Sequence, residues 1–157
     1  MEIERIIENK VHTAYYQCDI NCARTMLTTL GDLFHITIEK QTYLSAIGLH
    51  GAGGHRDQCG LVEGSLMFLG IYFLEKGRKE EEVVALCYEF AQEFTKQFGS
   101  VRCRELRPSG FQETDPPHLC EDLTCKAIVF TYRFIMDKNK GGGSHLGYGD
   151  KKTSEAG

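Results

Sequence analysis

Gln58-Cys59-Gly60-Leu61-Val62-Glu63-Gly64-Ser65-Leu66-Met67-Phe68-Leu69-Gly70-Ile71-Tyr72-Phe73-Leu74-Glu75-Lys76 decides the fold. The segment is apolar on every side, and a helix without a polar face is one that other elements surround. A buried strand is the competing reading, but strands rarely exceed about ten residues and this run is nearly twice that. Gly60, Gly64 and Gly70 within it would let neighbouring helices approach closely. Its uncharged part, Ser65 to Leu74, is far shorter than the roughly 20 residues a membrane span needs.

Working outward, the flanks supply the surrounding helices. Residues 2 to 16 place Ile3, Ile7, Val11 and Tyr15 at i, i+4 spacing, with Ile6 and Ala14 beside them, which predicts an amphipathic helix. The pattern breaks at Cys18-Asp19-Ile20-Asn21. Asp19 or Asn21 can cap a second helix over Cys22 to Phe34, with Met26, Leu27, Leu30 and Phe34 on one face. A short third helix is predicted from Glu39 to Leu49. Downstream, Glu80-Glu81-Glu82 suits a helix N-terminus. That helix runs to Phe98 on Val83, Leu86, Cys87, Phe90 and Phe94, with Gly99 ending it. A Pro/Ser/Gly connection covers 100 to 117. A last helix is predicted from His118 to Lys138, with Leu119, Leu123, Ala127, Phe130, Phe134 and Ile135 inward. The fold class is therefore all-α: a compact bundle of five or six helices around a central apolar, Gly-containing helix. Residues 1–138 form one domain, and the Gly/Ser/Lys-rich 139–157 reads as a flexible tail.

Composition excludes several classes. The 157 residues carry a formal net charge of -4, which argues against a general affinity for nucleic acid or an anionic membrane. The charged start Met1-Glu2-Ile3-Glu4-Arg5 lacks the apolar core of a secretory signal. A cytoplasmic, reducing environment is the expectation. There, seven cysteines, an odd number, point to metal or redox chemistry rather than to a static disulfide framework.

Most of these cysteines fall at helix beginnings or in loops: Cys18 and Cys22 around the second helix, Cys59 before the central one, Cys103 in the connection, Cys120 and Cys125 near the start of the last. Cys87 alone sits mid-helix on an apolar face, as a core residue would. A thiol in the first turn of a helix meets free N–H groups and the positive end of the dipole, so Cys59 and Cys120 are expected to ionise easily. Arg102 and Arg104 flank Cys103 with positive charge. No C-x-x-C pair, zinc-finger spacing or ferredoxin run is present. The absence of C-x-x-C-His argues against covalent haem.

Before Cys59 stands Gly48-Leu49-His50-Gly51-Ala52-Gly53-Gly54-His55-Arg56-Asp57. It is a tight turn between helices, or a nest whose N–H groups face a bound group. On the second reading Gly51, Gly53, Gly54 and His55 contact a cofactor, with His50 and Arg56 as further ligands or proton donors.

Taken together, Asn21-Cys22-Ala23, Gly51-Ala52-Gly53-Gly54, Cys59 to Gly70, Phe98-Gly99-Ser100-Val101-Arg102-Cys103-Arg104-Glu105-Leu106 and Cys120 make the chain similar, over about residues 20 to 125, to the redox-active family named for its cysteine pattern, C-GCAxxG-C-C. The Phe-Gly-Ser-x-x-Cys-Arg-Glu-Leu segment is the most specific part. Where the family pattern reads Gly-Cys-Ala-x-x-Gly, this chain has Cys59-Gly60-Leu61-Val62-Glu63-Gly64. The resemblance implies a small helical protein with redox activity or a metal cluster at four cysteines, which by position are Cys22, Cys59, Cys103 and Cys120. Three chemistries follow. The four thiolates hold an iron–sulfur cluster and pass electrons to a partner protein; or Cys59 attacks a disulfide and Cys22 or Cys103 resolves it, without metal; or the four hold structural zinc in a helical binding module. A packed homodimer would suit the Gly-rich central helix.

Overall fold

The computed structural model describes residues 2–107, 112 and 114–140. Among them the fold is all-α. Five long helices build it: α1 (Glu2–Tyr16), α2 (Cys22–Phe34), α5 (Gly60–Glu75), α6 (Glu80–Phe98) and α8 (Glu121–Lys140). Short helices α3 (Lys40–Ser45), α4 (Gly51–Gly54) and α7 (Cys103–Leu106) lie in the connections, with 3-10 turns at Ala46–Gly48 and Pro117–Cys120.

As its composition predicts, α5 is central and packs against α2, α6 and α8. Phe68, Leu69 and Phe73 are fully buried. Each such side chain contributes about 1.5–3 kcal/mol by leaving water. The α2 face is the tightest, because Gly64 faces the Ala23 carbonyl and the Met26 Cβ, where a side chain would not fit. Aromatic rings fill the remaining space. Phe34, Phe68, Tyr72 and Phe73 form one group, and Phe90, Phe94, Phe98, Phe130 and Phe134 join α6 to α8. Helix α1 lies on α8 and α2 through buried Ile7, Val11, Ala14 and Tyr15.

Two hydroxyl pairs cross this apolar interior. Ser65 donates to the Leu61 carbonyl at 2.7 Å and stands 3.0 Å from Thr131 Oγ1. Tyr15 Oη lies 2.7 Å from Thr124 Oγ1. Each is satisfied within its own helix or across to the next, as buried hydroxyls must be.

Helix ends follow their capping residues. Asn21 caps α2 by accepting from the Arg24 N–H at 3.0 Å. The Glu82 carboxylate accepts from the Lys79 N–H at 2.9 Å at the start of α6, and Gly99 ends it with φ 91°.

Three expectations change. The third helix is shorter than Glu39 to Leu49, because after Ser45 the chain tightens into the 3-10 turn. The last helix begins at Glu121, not His118. Residues Pro117–Cys120 before it form a 3-10 turn, and Leu119, expected inward, is 44% exposed. That helix extends to Lys140, two residues into the expected tail. The rest of the tail, 141–157, lies outside the described residues.

Candidate functional site

Four cysteines from four separate elements line one cavity of about 380 Å3: Cys22, Cys59, Cys103 and Cys120. Cys22 is the first residue of α2, Cys59 the N-cap of α5, Cys103 the first residue of α7, and Cys120 the last residue of the 3-10 turn before α8. Ile20, Ile47 and Leu61 supply apolar wall, and His50, Arg24, Arg56, Arg107, Asp19 and Asp115 supply charge and polarity; Arg24 also donates to the Tyr43 carbonyl at 3.1 Å and lies over the Tyr43 ring. All seven cysteines are free thiols.

Three local devices bring the sulfurs together. The first is an antiparallel backbone pairing between the segments entering α5 and α7. Cys59 N donates to the Val101 carbonyl at 2.8 Å, and Cys103 N donates to the Asp57 carbonyl at 2.7 Å. Gln58 and Arg102 form the bridge between them. Residues more than forty apart in sequence thereby hold their thiols at one place.

The second is the close contact of α5 with α2. A Cβ on Gly60 would lie 2.3 Å from Cys22 Sγ and 2.4 Å from the Leu49 carbonyl. Only hydrogen fits there, so the glycine in this chain's Cys59-Gly60 pair sets the distance between the Cys22 and Cys59 walls.

Asn21 is the third. Besides capping α2, its side-chain amide donates to the Ala46 carbonyl at 3.0 Å and the Ile47 carbonyl at 2.8 Å. It therefore ties the Cys22 end of α2 to the 3-10 turn. Asn21→Ala is expected to cost about 2 kcal/mol of stability. Asn21→Asp, which keeps the cap and loses the two donated bonds, should cost about half as much. Denaturant titration of the three proteins checks the order.

The glycine-rich segment acts differently from the nest reading. Gly51, Gly53, Gly54 and His55 stand outside the cavity lining, whereas His50 and Arg56 line it. Positive φ at Gly51, Ala52, Gly53 and Gly54 folds the segment into one tight turn. Its N–H groups close on the turn itself: Gly54 N donates to the His50 carbonyl at 3.0 Å and His55 N to that of Ala52 at 3.3 Å. Gly51 is required because a Cβ on it would press on Arg56 Cα at 3.0 Å in a backbone conformation that L-residues avoid. The turn's product is the placement of His50 and Arg56.

The thiols also ionise less readily than their helix-start positions suggest. The favourable donors are present: the Ala23 N–H on Cys22 and the Leu61 N–H on Cys59. Burial outweighs them, and the neighbouring thiolates oppose one another. Cys22 is pushed up to about 12, and Cys59 is raised further by the same causes. Cys120 is also raised by burial, but Arg107, which hydrogen-bonds it, and Arg56 pull it back. The low-pKa thiol expected at Cys59 is thus corrected, since desolvation of a buried sulfur exceeds the help of a helix terminus.

Sequence reasoning overlooked Arg107 and Asp115. Arg107 is 8% exposed and pairs with Asp115 at 3.3 Å. Neither lies in a periodic segment, and the only hint was Arg107 standing four residues after Cys103. The other cysteines lie elsewhere. Cys18 is exposed, Cys87 packs partly buried on α6, and Cys125 lines a separate groove with Glu8, Phe98 and Phe130. Among the described residues no group of three or more His, Cys, Asp or Glu side chains is gathered to hold a metal ion; the four thiols border a space instead of meeting at a point. Nor, among the described residues, is any helix long and apolar enough to cross a membrane.

No curated protein and no solved structure matches the chain. Residues 20–134 match the model of one family, a span that contains all four cavity cysteines and the three arginines of its wall. The chain belongs to the family described as "Putative redox-active protein (C_GCAxxG_C_C)".

Proposed function

We propose that this chain is a small electron carrier in which Cys22, Cys59, Cys103 and Cys120 hold an iron–sulfur cluster. The observation that carries the reading is the convergence of four thiols, one from each of four elements, on a single cavity of about 380 Å3. The donor set suits the group: four soft sulfurs outnumber the one histidine, His50, and the two carboxylates, Asp19 and Asp115, on the same wall. Thiols spread around a space also suit a cluster of several atoms better than a lone zinc ion.

Such a cluster supplies one-electron storage without making or breaking a bond to substrate. The chain's residues do the rest. The four cysteines bind and give up their protons on doing so. Ile20, Ile47 and Leu61 limit water at the sulfurs, and Arg56 and Arg107 bring positive charge. The electron comes from, and leaves to, a partner protein or small one-electron carrier. Metal-free thiol exchange through Cys59 is less well supported, because a thiol raised this far by burial supplies few thiolates near neutral pH.

Protein purified without oxygen should be brown and contain iron and acid-labile sulfide. Changing Cys22, Cys59, Cys103 or Cys120 to Ser should weaken iron retention at least about tenfold, since even indirect partners of ligands are worth that much. Cys18→Ser and Cys87→Ser should leave it unchanged. Colourless, iron-free protein after anaerobic purification and after incubation with ferrous iron and sulfide overturns the reading.

A further inference from the structure

One stretch of the cavity wall has almost nothing of its own in the core. Ile36 and Ile38 pack on the core at one end and Leu49 at the other, and between Ile38 and Leu49 only Ala46 joins it. Helix α3 buries no residue, and Leu44 is exposed. Ile47 is at once part of the cavity wall and 60% exposed. At this wall, residues 39–47 therefore stand between the four sulfurs and solvent.

What holds the stretch is polar and comes from the Cys22 end of α2. Asn21 donates to the Ala46 and Ile47 carbonyls at 3.0 and 2.8 Å. Arg24 Nε donates to the Tyr43 carbonyl at 3.1 Å, and the guanidinium lies 4.5 Å from the centre of the Tyr43 ring. Among the described residues these are the polar links from 39–47 to the long helices. Other bonds are internal, such as Ser45 Oγ to the Thr42 carbonyl at 2.8 Å and Tyr43 N to the Glu39 carbonyl at 3.0 Å. Gly48 closes the stretch with open space where a Cβ would stand. Segments with few buried apolar contacts and exposed hydrogen bonds are the ones that open locally while the rest of a domain stays folded.

We propose that residues 39–47 form a strap that opens as a unit between Ile38 and Leu49, that this opening is how small solutes reach the four cavity thiols, and that the stacking of Tyr43 on Arg24 latches it shut. Opening removes the Ile47 wall from the cavity. The long helices and the pairing of 56–59 with 101–104 take no part in it, so the thiols stay gathered while the door is open. The strap works in the same way whatever the thiols hold.

Two measurements on the full chain, metal-free and reduced, test it. The first is the rate at which iodoacetamide alkylates Cys59, the most buried of the four cavity thiols. It is read at one pH by peptide mass spectrometry, with exposed Cys18 as reference. Tyr43→Ala removes the ring from the latch and keeps the Arg24 charge on the cavity wall; it should speed Cys59 alkylation about fivefold. Tyr43→Phe, which keeps a ring, should match wild type. Gly48→Ala should slow it about threefold, because Gly48 has neither a positive φ nor a neighbour at its Cβ position, and alanine there restricts only the open strap. Gly70→Ala, placed in a helix that stays folded when the strap opens, should leave the rate unchanged. The wild-type rate should also be nearly flat at low guanidinium, since a small opening exposes little surface. The second measurement is hydrogen exchange: the peptide over 40–47 should exchange ahead of α2 and α5, and faster still in Tyr43→Ala.

Opposite shifts in Tyr43→Ala and Gly48→Ala, with Gly70→Ala unmoved, sustain the strap. Cys59 rates that do not move in opposite directions in those two variants overturn it. So does a rate that climbs steeply from the first addition of guanidinium, which assigns access to global unfolding, and so does a 40–47 peptide as protected as α5.

Discussion

Gly60→Ala is expected to cost at least about 3 kcal/mol of stability and to strip the protein of its capacity to hold iron. The added methyl group would sit 2.3 Å from Cys22 Sγ and 2.4 Å from the Leu49 carbonyl oxygen. One of those atoms is backbone and the other is a sulfur in the cavity wall, so neither yields as the tip of a flexible side chain would. Overpacking usually costs about 1–3 kcal/mol, and two contacts this short on one carbon place the change at or above the upper end. Relief requires α5 to move away from α2, which separates Cys59 from Cys22. Gly70 on the same helix has open space around it, so Gly70→Ala is the matched control and should gain a few tenths of a kcal/mol or more through helix propensity. Guanidinium unfolding and iron analysis of both variants decide the point. A Gly60→Ala protein that matches wild type in both shows that the α2–α5 contact does not set the cavity.

The bundle was legible because its helices carry local signatures. Glu2–Tyr16, Cys22–Phe34 and Glu80–Phe98 agree residue for residue with the i, i+4 stripes and their caps, since one face of each pays out in a single shared core. The central helix was legible for the opposite reason: it has no face at all. What escaped was whatever depends on two distant segments at once. The pairing of 56–59 with 101–104 rests on backbone hydrogen bonds, to which the Arg102 and Arg104 side chains add contacts with Asp57 and the Arg56 carbonyl, and it follows no periodic side-chain pattern. Nothing in spacing separates Cys22 from Cys18 or Cys120 from Cys125; the likeness to a family selected among them, and the structure then puts one of each pair in the cavity and the other outside it. The thiol acidity was misjudged on the same ground. The helix-terminus effect is local and visible, whereas burial is a property of the assembled fold. Arg107 and Asp115 lay in a connection with no periodicity to read, so their pairing at the cavity wall had to be seen.

Alkaline pH is expected to unfold the metal-free protein well before it would unfold a protein with ordinary thiols. The Cys22 thiol is pushed from its ordinary 9.0 up to about 12 in the folded chain, with burial as the main cause and the neighbouring thiolates of Cys120 and Cys103 adding to it. Cys59 moves in the same direction, and Tyr15, buried near the same sulfurs, is raised above its ordinary 10.0. The folded state therefore holds these protons more tightly than the unfolded chain does. Below pH 9 both states are protonated and the stability is complete. Above pH 9 the unfolded chain releases protons that the fold retains, so stability falls at least until Cys22 ionises in the folded chain near pH 12. Three pH units on Cys22 alone correspond to about 4 kcal/mol at most, a large share of the 5–15 kcal/mol that typically holds a domain folded. Guanidinium midpoints measured at pH 8 and pH 11 in the presence of reductant should show the loss. The Cys22→Ser/Cys59→Ser protein, in which lysines and tyrosines still titrate, should lose much less over the same range. Equal losses in the two proteins refute the assignment. Iron-loaded protein should also resist, because a thiolate held by metal has no proton left to release.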